Sequence, residues 1–123
     1  MNLSGLILFV QDVEKLKTFY MSFFHCTVIE EIKNEWVLLK AGNGEMGLHK
    51  AGIPGTDLWN KSNGENNNSK MVFECADNIT LKHQEFLSNG ISVSEIKSWE
   101  GYGFLLFDGA DPEGNMFQIK QKK

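Results

Sequence analysis

The sequence predicts an α+β fold: two tandem βαβββ modules that pair into one curved, barrel-like mixed sheet with the helices outside. Three observations carry this. An apolar segment running into an acidic cap and a helical stripe occurs twice, at 3–10 with Asp12 and at 70–76 with Asp77. Each stripe is followed by short strand-like runs separated by turn residues. A stretch rich in glycine and asparagine, 51–68, divides the chain between the two copies. Modules this small do not close a core alone, so their sheets are expected to pair.

The first module spans 1–50. Its opening segment is almost wholly apolar, the pattern of a strand covered on both faces. Asp12 is the expected N-cap, because Val13, Leu16, Phe19, Tyr20, Phe23 and Phe24 follow at helical spacing. After His25 the period changes to that of strands, with turns at Lys33-Asn34 and at Gly42-Asn43-Gly44. The linker at 51–68 contains Leu58 and Trp59, which pack either as a plug or lid or simply onto their own domain.

The second module spans 69–123. Its helix is expected to start at the Asp77 cap, to carry Ile79, Leu81, Phe86 and Leu87, and to end at Asn89-Gly90, leaving His83 on the outer face. Strands are expected at 91–96 and 102–107. A tight turn then follows at Asp111-Pro112-Glu113-Gly114-Asn115, where Pro112 fixes the first corner and Gly114 with Asn115 accepts positive φ. The final strand alternates Met116, Gln118 and Lys120 with Phe117 and Ile119, so one face meets the core and the other presents a polar row.

The whole composition narrows the function. At 123 residues, 41% hydrophobic and 23% charged, the chain is of ordinary globular make-up. A net charge of -4 argues against a nucleic-acid partner. The apolar run at 6–10 is too short to span a membrane and lacks a basic flank, so neither a membrane partner nor a signal peptide is expected. Cys26 and Cys75 are too far apart for a paired-thiol motif; they read as reduced thiols, which fits a cytoplasmic location. Phosphate loops, nucleophile elbows and HExxH boxes are missing from the sequence.

The opening strand running into Asp12-Val13-Glu14 and Phe19-Tyr20, the Gly47-Leu48-His49 stretch, the second strand with Asp77, and the Asp111 to Asn115 turn resemble the vicinal oxygen chelate superfamily. That group includes glyoxalase I, bleomycin-resistance proteins, fosfomycin-resistance enzymes and extradiol dioxygenases. The resemblance implies a βαβββ repeat, a U-shaped cleft and a homodimer. It also implies a divalent metal held by His and Glu from the first, fourth, fifth and eighth strands, which fall here near Gly5, Gly47 or His49, Lys70, and Gln118. Only His49 is a good ligand among these, since glycine has no donor, an ammonium must lose its proton, and Gln118 offers a neutral amide.

No cofactor is therefore expected, with Zn, Ni or Mn as the alternative, held in that case by His49 and Gln118. The expected ligand-binding residues are Phe9, Trp36, His49, Lys70, Trp99, Tyr102, Phe104 and Gln118, which make an apolar, aromatic cleft with few polar groups. His49 reads equally as a hydrogen-bonded strand histidine, Lys70 as a solvated side chain or a partner of Gln118, and Trp99 as a cleft lip or a dimer contact. The leading expectation is a metal-free protein that sequesters an aromatic or amphipathic small molecule. The alternative is a metal-dependent lyase or transferase of the glyoxalase I or fosfomycin-resistance type, so catalysis itself is left open. In a third reading the cleft is filled by its own side chains and the dimer surface does the work.

Overall fold

In the computed structural model, which describes residues 1–52 and 68–123, the strands hydrogen-bond into two separate mixed sheets. Contacts divide the chain into two compact units, Met1–Asn63 and Gly64–Lys123. Leu58 and Trp59 lie outside the described residues.

The first unit runs β1 (Gly5–Val10), α1 (Val13–Phe24), β2 (Thr27–Ile32), β3 (Trp36–Ala41) and β4 (Gly44–Lys50). Asp12 caps α1 by accepting the Lys15 N–H at 3.0 Å, which satisfies one of the helix's orphan donors. The stripe Val13, Leu16, Phe19 and Tyr20 is buried, as the spacing predicts. Helix α1 packs over β3 and β4. Buried Val37, Leu39, Met46 and Leu48 form the apolar face of those strands. The helix ends at His25, which adopts the left-handed conformation at φ 56°. Cys26 follows, buried, and burial pushes its thiol up to about 11. Turns fall at Asn34 (φ 66°) and Gly42 (φ 60°), where positive φ reverses the chain. The strand order is β1-β4-β3-β2, with β1 parallel to β4 and the remaining pairs antiparallel.

β1 differs from its expected double coverage. Ile7 and Phe9 are 53% and 49% exposed; β1 is an edge strand in which only Val10 is buried and Leu8 half-buried.

The second unit runs β5 (Met71–Glu74), α2 (Ile79–Ser88), β6 (Phe104–Ala110) and β7 (Met116–Lys122), in the sheet order β5-β7-β6. Parallel β5-β7 and antiparallel β6-β7 repeat the arrangement of β1, β4 and β3. Asn78 caps α2, not Asp77; its side chain accepts from the N–H groups of Thr80 and Leu81. Leu81 and Leu87 are exposed. The buried stripe is Ile79 and Phe86, with His83 between them at helical spacing. His83 is therefore not on the outer face: its Nε2 lies 2.8 Å from the Ser94 carbonyl and its ring meets Phe107 edge-on at 4.9 Å.

The expected strand at 91–96 is reduced to two isolated bridges, Val93 to Gly109 and Lys97 to Leu106. The two bridges differ by one residue in register, and between them the Ser94 hydroxyl accepts the Asp108 N–H at 3.0 Å. A side-chain acceptor thus stands where a backbone rung would form, and the regular ladder is interrupted. The next strand also starts later than expected, at Phe104, because Gly101 (φ 78°) and a Trp99 to Tyr102 turn precede it. It continues through Asp108 to Ala110.

The turn after β6 closes around Asp111, which is 5% exposed. Its Oδ1 accepts the N–H groups of Glu113 and Asn115 at 2.9 and 3.0 Å, and the Asn115 amide donates to both carboxylate oxygens. Gly114 supplies the positive φ, at 83°, and Asn115 does not share it.

Candidate functional site

Each sheet has one face under its helix and one open face, and the expected site residues fall on the open faces. In the first unit β1, β4 and β3 align Phe9, His49 and Trp36 in a single row. The His49 ring lies 5.6 Å from that of Phe9 and 5.8 Å from that of Trp36, edge-on to the tryptophan. The adjacent row is Ile7, Gly47 and Leu38. Gly47 has a packing role there. A Cβ built on it would clash with Trp36 Cη2, lie 2.7 Å from Trp36 Cζ3, and lie 3.1 Å from Ile7 Cγ1. The tryptophan ring therefore leans across the glycine, and the open face of this unit is aromatic and aliphatic at its centre.

The second unit's open face is polar at one end and aromatic at the other. Asp108 on β6 faces Gln118 on β7. Its Oδ1 accepts the Gln118 amide at 3.0 Å and also meets Lys70 Nζ at 3.0 Å. Partial burial pushes the Asp108 carboxyl up. The Gln118 and Lys70 hydrogen bonds, with the charges of Lys70 and Lys97, outweigh that and hold it below its usual value. Asp108 is therefore an ionised carboxylate at neutral pH. At the other end Lys120 Nζ stands 4.3 Å from the centre of the Phe104 ring, a cation–π contact. Tyr102 lies 5.9 Å from Phe104, and Trp99 lies 5.9 Å edge-on to Tyr102. Lys123 Nζ donates to the Trp99 carbonyl at 2.8 Å, tying this turn to the end of β7.

Of the residues expected to bind a ligand, Phe9, Trp36 and His49 come together in the first unit. Lys70 and Gln118 meet in the second, and Trp99, Tyr102 and Phe104 form a chain of ring contacts there. Lys70 and Gln118 do not pair with each other: both bind Asp108. Sequence reading missed Asp108 because it ended the strand at residue 107. Alternation continued from Phe104 and Leu106 reaches Asp108 on the same face.

The residues at the implied metal positions do not fit a three-ligand divalent site. Gly5 brings no donor, and any side chain there would start 2.5 Å from the Glu45 carbonyl oxygen. Lys70 Nζ is engaged in an ion pair with Asp108 at 3.0 Å, a cationic side chain where a ligand should stand. Among the described residues, no three His, Cys, Asp or Glu side chains gather as a metal cluster.

No protein-family model matches the sequence, and no curated protein matches it in sequence. Solved structures do match its fold. The fosfomycin-resistance protein FosX from Listeria monocytogenes superposes with a TM-score of 0.80 at 12% identity, covering 100% of this chain and 94% of that one. A lactoylglutathione lyase from Agrobacterium tumefaciens gives 0.72 at 17% identity, over 98% and 92%. A virulence protein from Salmonella typhimurium gives 0.73 at 21% identity, over 100% and 98%.

Proposed function

We propose that this chain, which has the vicinal oxygen chelate fold of fosfomycin-resistance proteins and lactoylglutathione lyase, is a metal-free protein that binds and sequesters an aromatic or amphipathic small molecule. The observation that carries the proposal is the row Phe9, His49 and Trp36, with the Trp36 ring leaning across side-chain-free Gly47. Rings flanked on the same face by Ile7 and Leu38 suit the flat, apolar part of a ligand. The misfit of Gly5 and Lys70 to metal ligation supports the metal-free half of the reading. A homodimer and a cytoplasmic location belong to the same reading. The two unpaired thiols, Cys26 and Cys75, support the location. Among the described residues no helix is long and apolar enough to cross a membrane.

One observation favours a second reading, a divalent-metal-dependent lyase or transferase of the glyoxalase I or fosfomycin-resistance type. The Listeria FosX, similar in fold, has been crystallised with Mn(II) and sulfate, and a point mutant of it with Mn(II) and a dihydroxypropylphosphonic acid. In that case His49 and Gln118 are the ligands this chain offers. A thermal-shift series separates the two readings. Metal-stripped protein and a His49→Ala variant are scanned against Ni²⁺, Zn²⁺, Mn²⁺ and Mg²⁺, and then against flat aromatic compounds. A ligand at a hundredfold its dissociation constant adds roughly 2.7 kcal/mol, well within resolution. Stabilisation by an aromatic compound without metal is the expected result. Stabilisation by a metal that disappears in the variant would sink the metal-free reading.

A further inference from the structure

The open face of the second unit carries more positive than negative side chains, and its lysines surround exposed rings. Lys97 is bridged to Leu106, Lys120 is in register with Leu106, and Lys122 is in register with Phe104, so all three share this face with Lys70. The carboxylates there are Asp108, already bound to Lys70, and Glu74, in register with Lys120. Among the described residues Lys120 and Lys122 form no ion pair, and the nearest described partner of Lys120 is the Phe104 ring. Beside them Trp99 and Tyr102 are 51% and 43% exposed, with their rings in contact edge to face. Large exposed rings next to unpaired ammonium groups complement a ligand that is flat at one end and negative at the other.

We propose that this face binds a planar aromatic carboxylate, its ring laid against Tyr102 and Trp99 and its carboxylate taken by the ammonium groups of Lys120 and Lys122. The assignment rests on the reading of the chain as a small-molecule binder and gives that ligand a charge. Asp108 offsets the charge of Lys70 at the polar end, so the positive excess of the face lies with Lys120 and Lys122 at the aromatic end.

The test is calorimetric titration of the intact chain with three compounds of one shape: 2-naphthoate, the neutral 2-naphthamide and 2-naphthylmethylammonium. The carboxylate is expected to bind about fivefold more tightly than the amide, as two partly exposed ion pairs provide, with the preference shrinking as salt is added. A Lys120→Gln/Lys122→Gln double variant should lose that preference and keep its affinity for the amide. Tyr102→Ala should weaken all three compounds. Equal binding of carboxylate and amide, tighter binding of the cation, or a preference that survives in the double variant would overturn the assignment and leave the small-molecule reading intact. Failure of all three compounds to bind overturns both.

Discussion

Replacing Gly47 with alanine tests whether the open aromatic row is a packed structure. The new Cβ would clash with Trp36 Cη2 and lie 2.7 Å from Cζ3, where ordinary contact begins at 3.4 Å, so the indole must retreat by more than the shortfall at Cζ3. Ile7 Cγ1, at 3.1 Å, blocks part of the escape. Overpacking of this kind costs about 1–3 kcal/mol, and the half-buried indole has somewhere to go, which favours the lower half of that range. Gly44→Ala, on the same strand, is the control: its Cβ meets only the Ala41 carbonyl oxygen at 3.6 Å. Both alanines restrict the unfolded chain by about 0.4–1 kcal/mol, so their difference isolates the packing term. For a chain of this size 1 kcal/mol moves Tm by roughly 4 °C, so Gly47→Ala should melt about 4–8 °C below Gly44→Ala. Calorimetry measures the shift, and near-UV circular dichroism should report the altered indole only in the Gly47 variant. Matching melting temperatures and matching aromatic spectra would refute the packing of Trp36 on Gly47.

Other expectations follow from the second unit and from the thiols. Because Asp108 is held below the usual value of 3.8, its ionised form stabilises the fold above that pH, and the contribution is lost as pH falls through the lower folded value. Lys70→Met should therefore cost less than about 1 kcal/mol near neutral pH, given the partial exposure of the pair, and its deficit against the parent protein should close below pH 3.8 in acid-titrated urea melts. Asp111→Ala strands the N–H groups of Glu113 and Asn115 and should cost roughly 2 kcal/mol, read as a lower urea midpoint at unchanged slope; Asp111→Asn, which keeps an acceptor, should lose less. Cys26, buried with its thiol pushed up to about 11, should resist a thiol reagent at pH 8 under native conditions, whereas the partly exposed Cys75 should react first.

Local signals made the first unit legible. Asp12 and the stripe from Val13 to Tyr20 are consecutive and use one mechanism, so the helix start and its buried face follow from spacing alone. In the second unit the same logic selected Asp77, but adjacent Asn78 has equal capping chemistry, and only the backbone decides which of the two stands at the entry. The apolar letters Leu81 and Leu87 drew the stripe onto the wrong face. Half-polar His83 occupies the part-buried position between Ile79 and Phe86, where the Ser94 carbonyl answers its ring nitrogen. Asp108 was hidden for a related reason: a carboxylate at the end of an apolar run reads as the beginning of a turn. What identifies it as part of the site is Lys70, 38 residues earlier in the chain, and a partnership at that separation leaves no local pattern.

The Ser94 hydroxyl that replaces a backbone rung has a consequence for motion. In the first unit the outer strand β2 is zipped to β3 along a hairpin, broken only by a bulge between Val28 and Glu30. The corresponding segment of the second unit hangs on a few separated hydrogen bonds, those of Ser94, Lys97 and Ala110 among them. Opening it disturbs few neighbours, so this border of the duplicated architecture is the one that loosens at low free-energy cost while β6 and β7 stay paired. The Trp99–Tyr102 turn is the continuation of that border. The copy of the module that lost its regular edge is thus the copy whose rings can shift to meet a visitor.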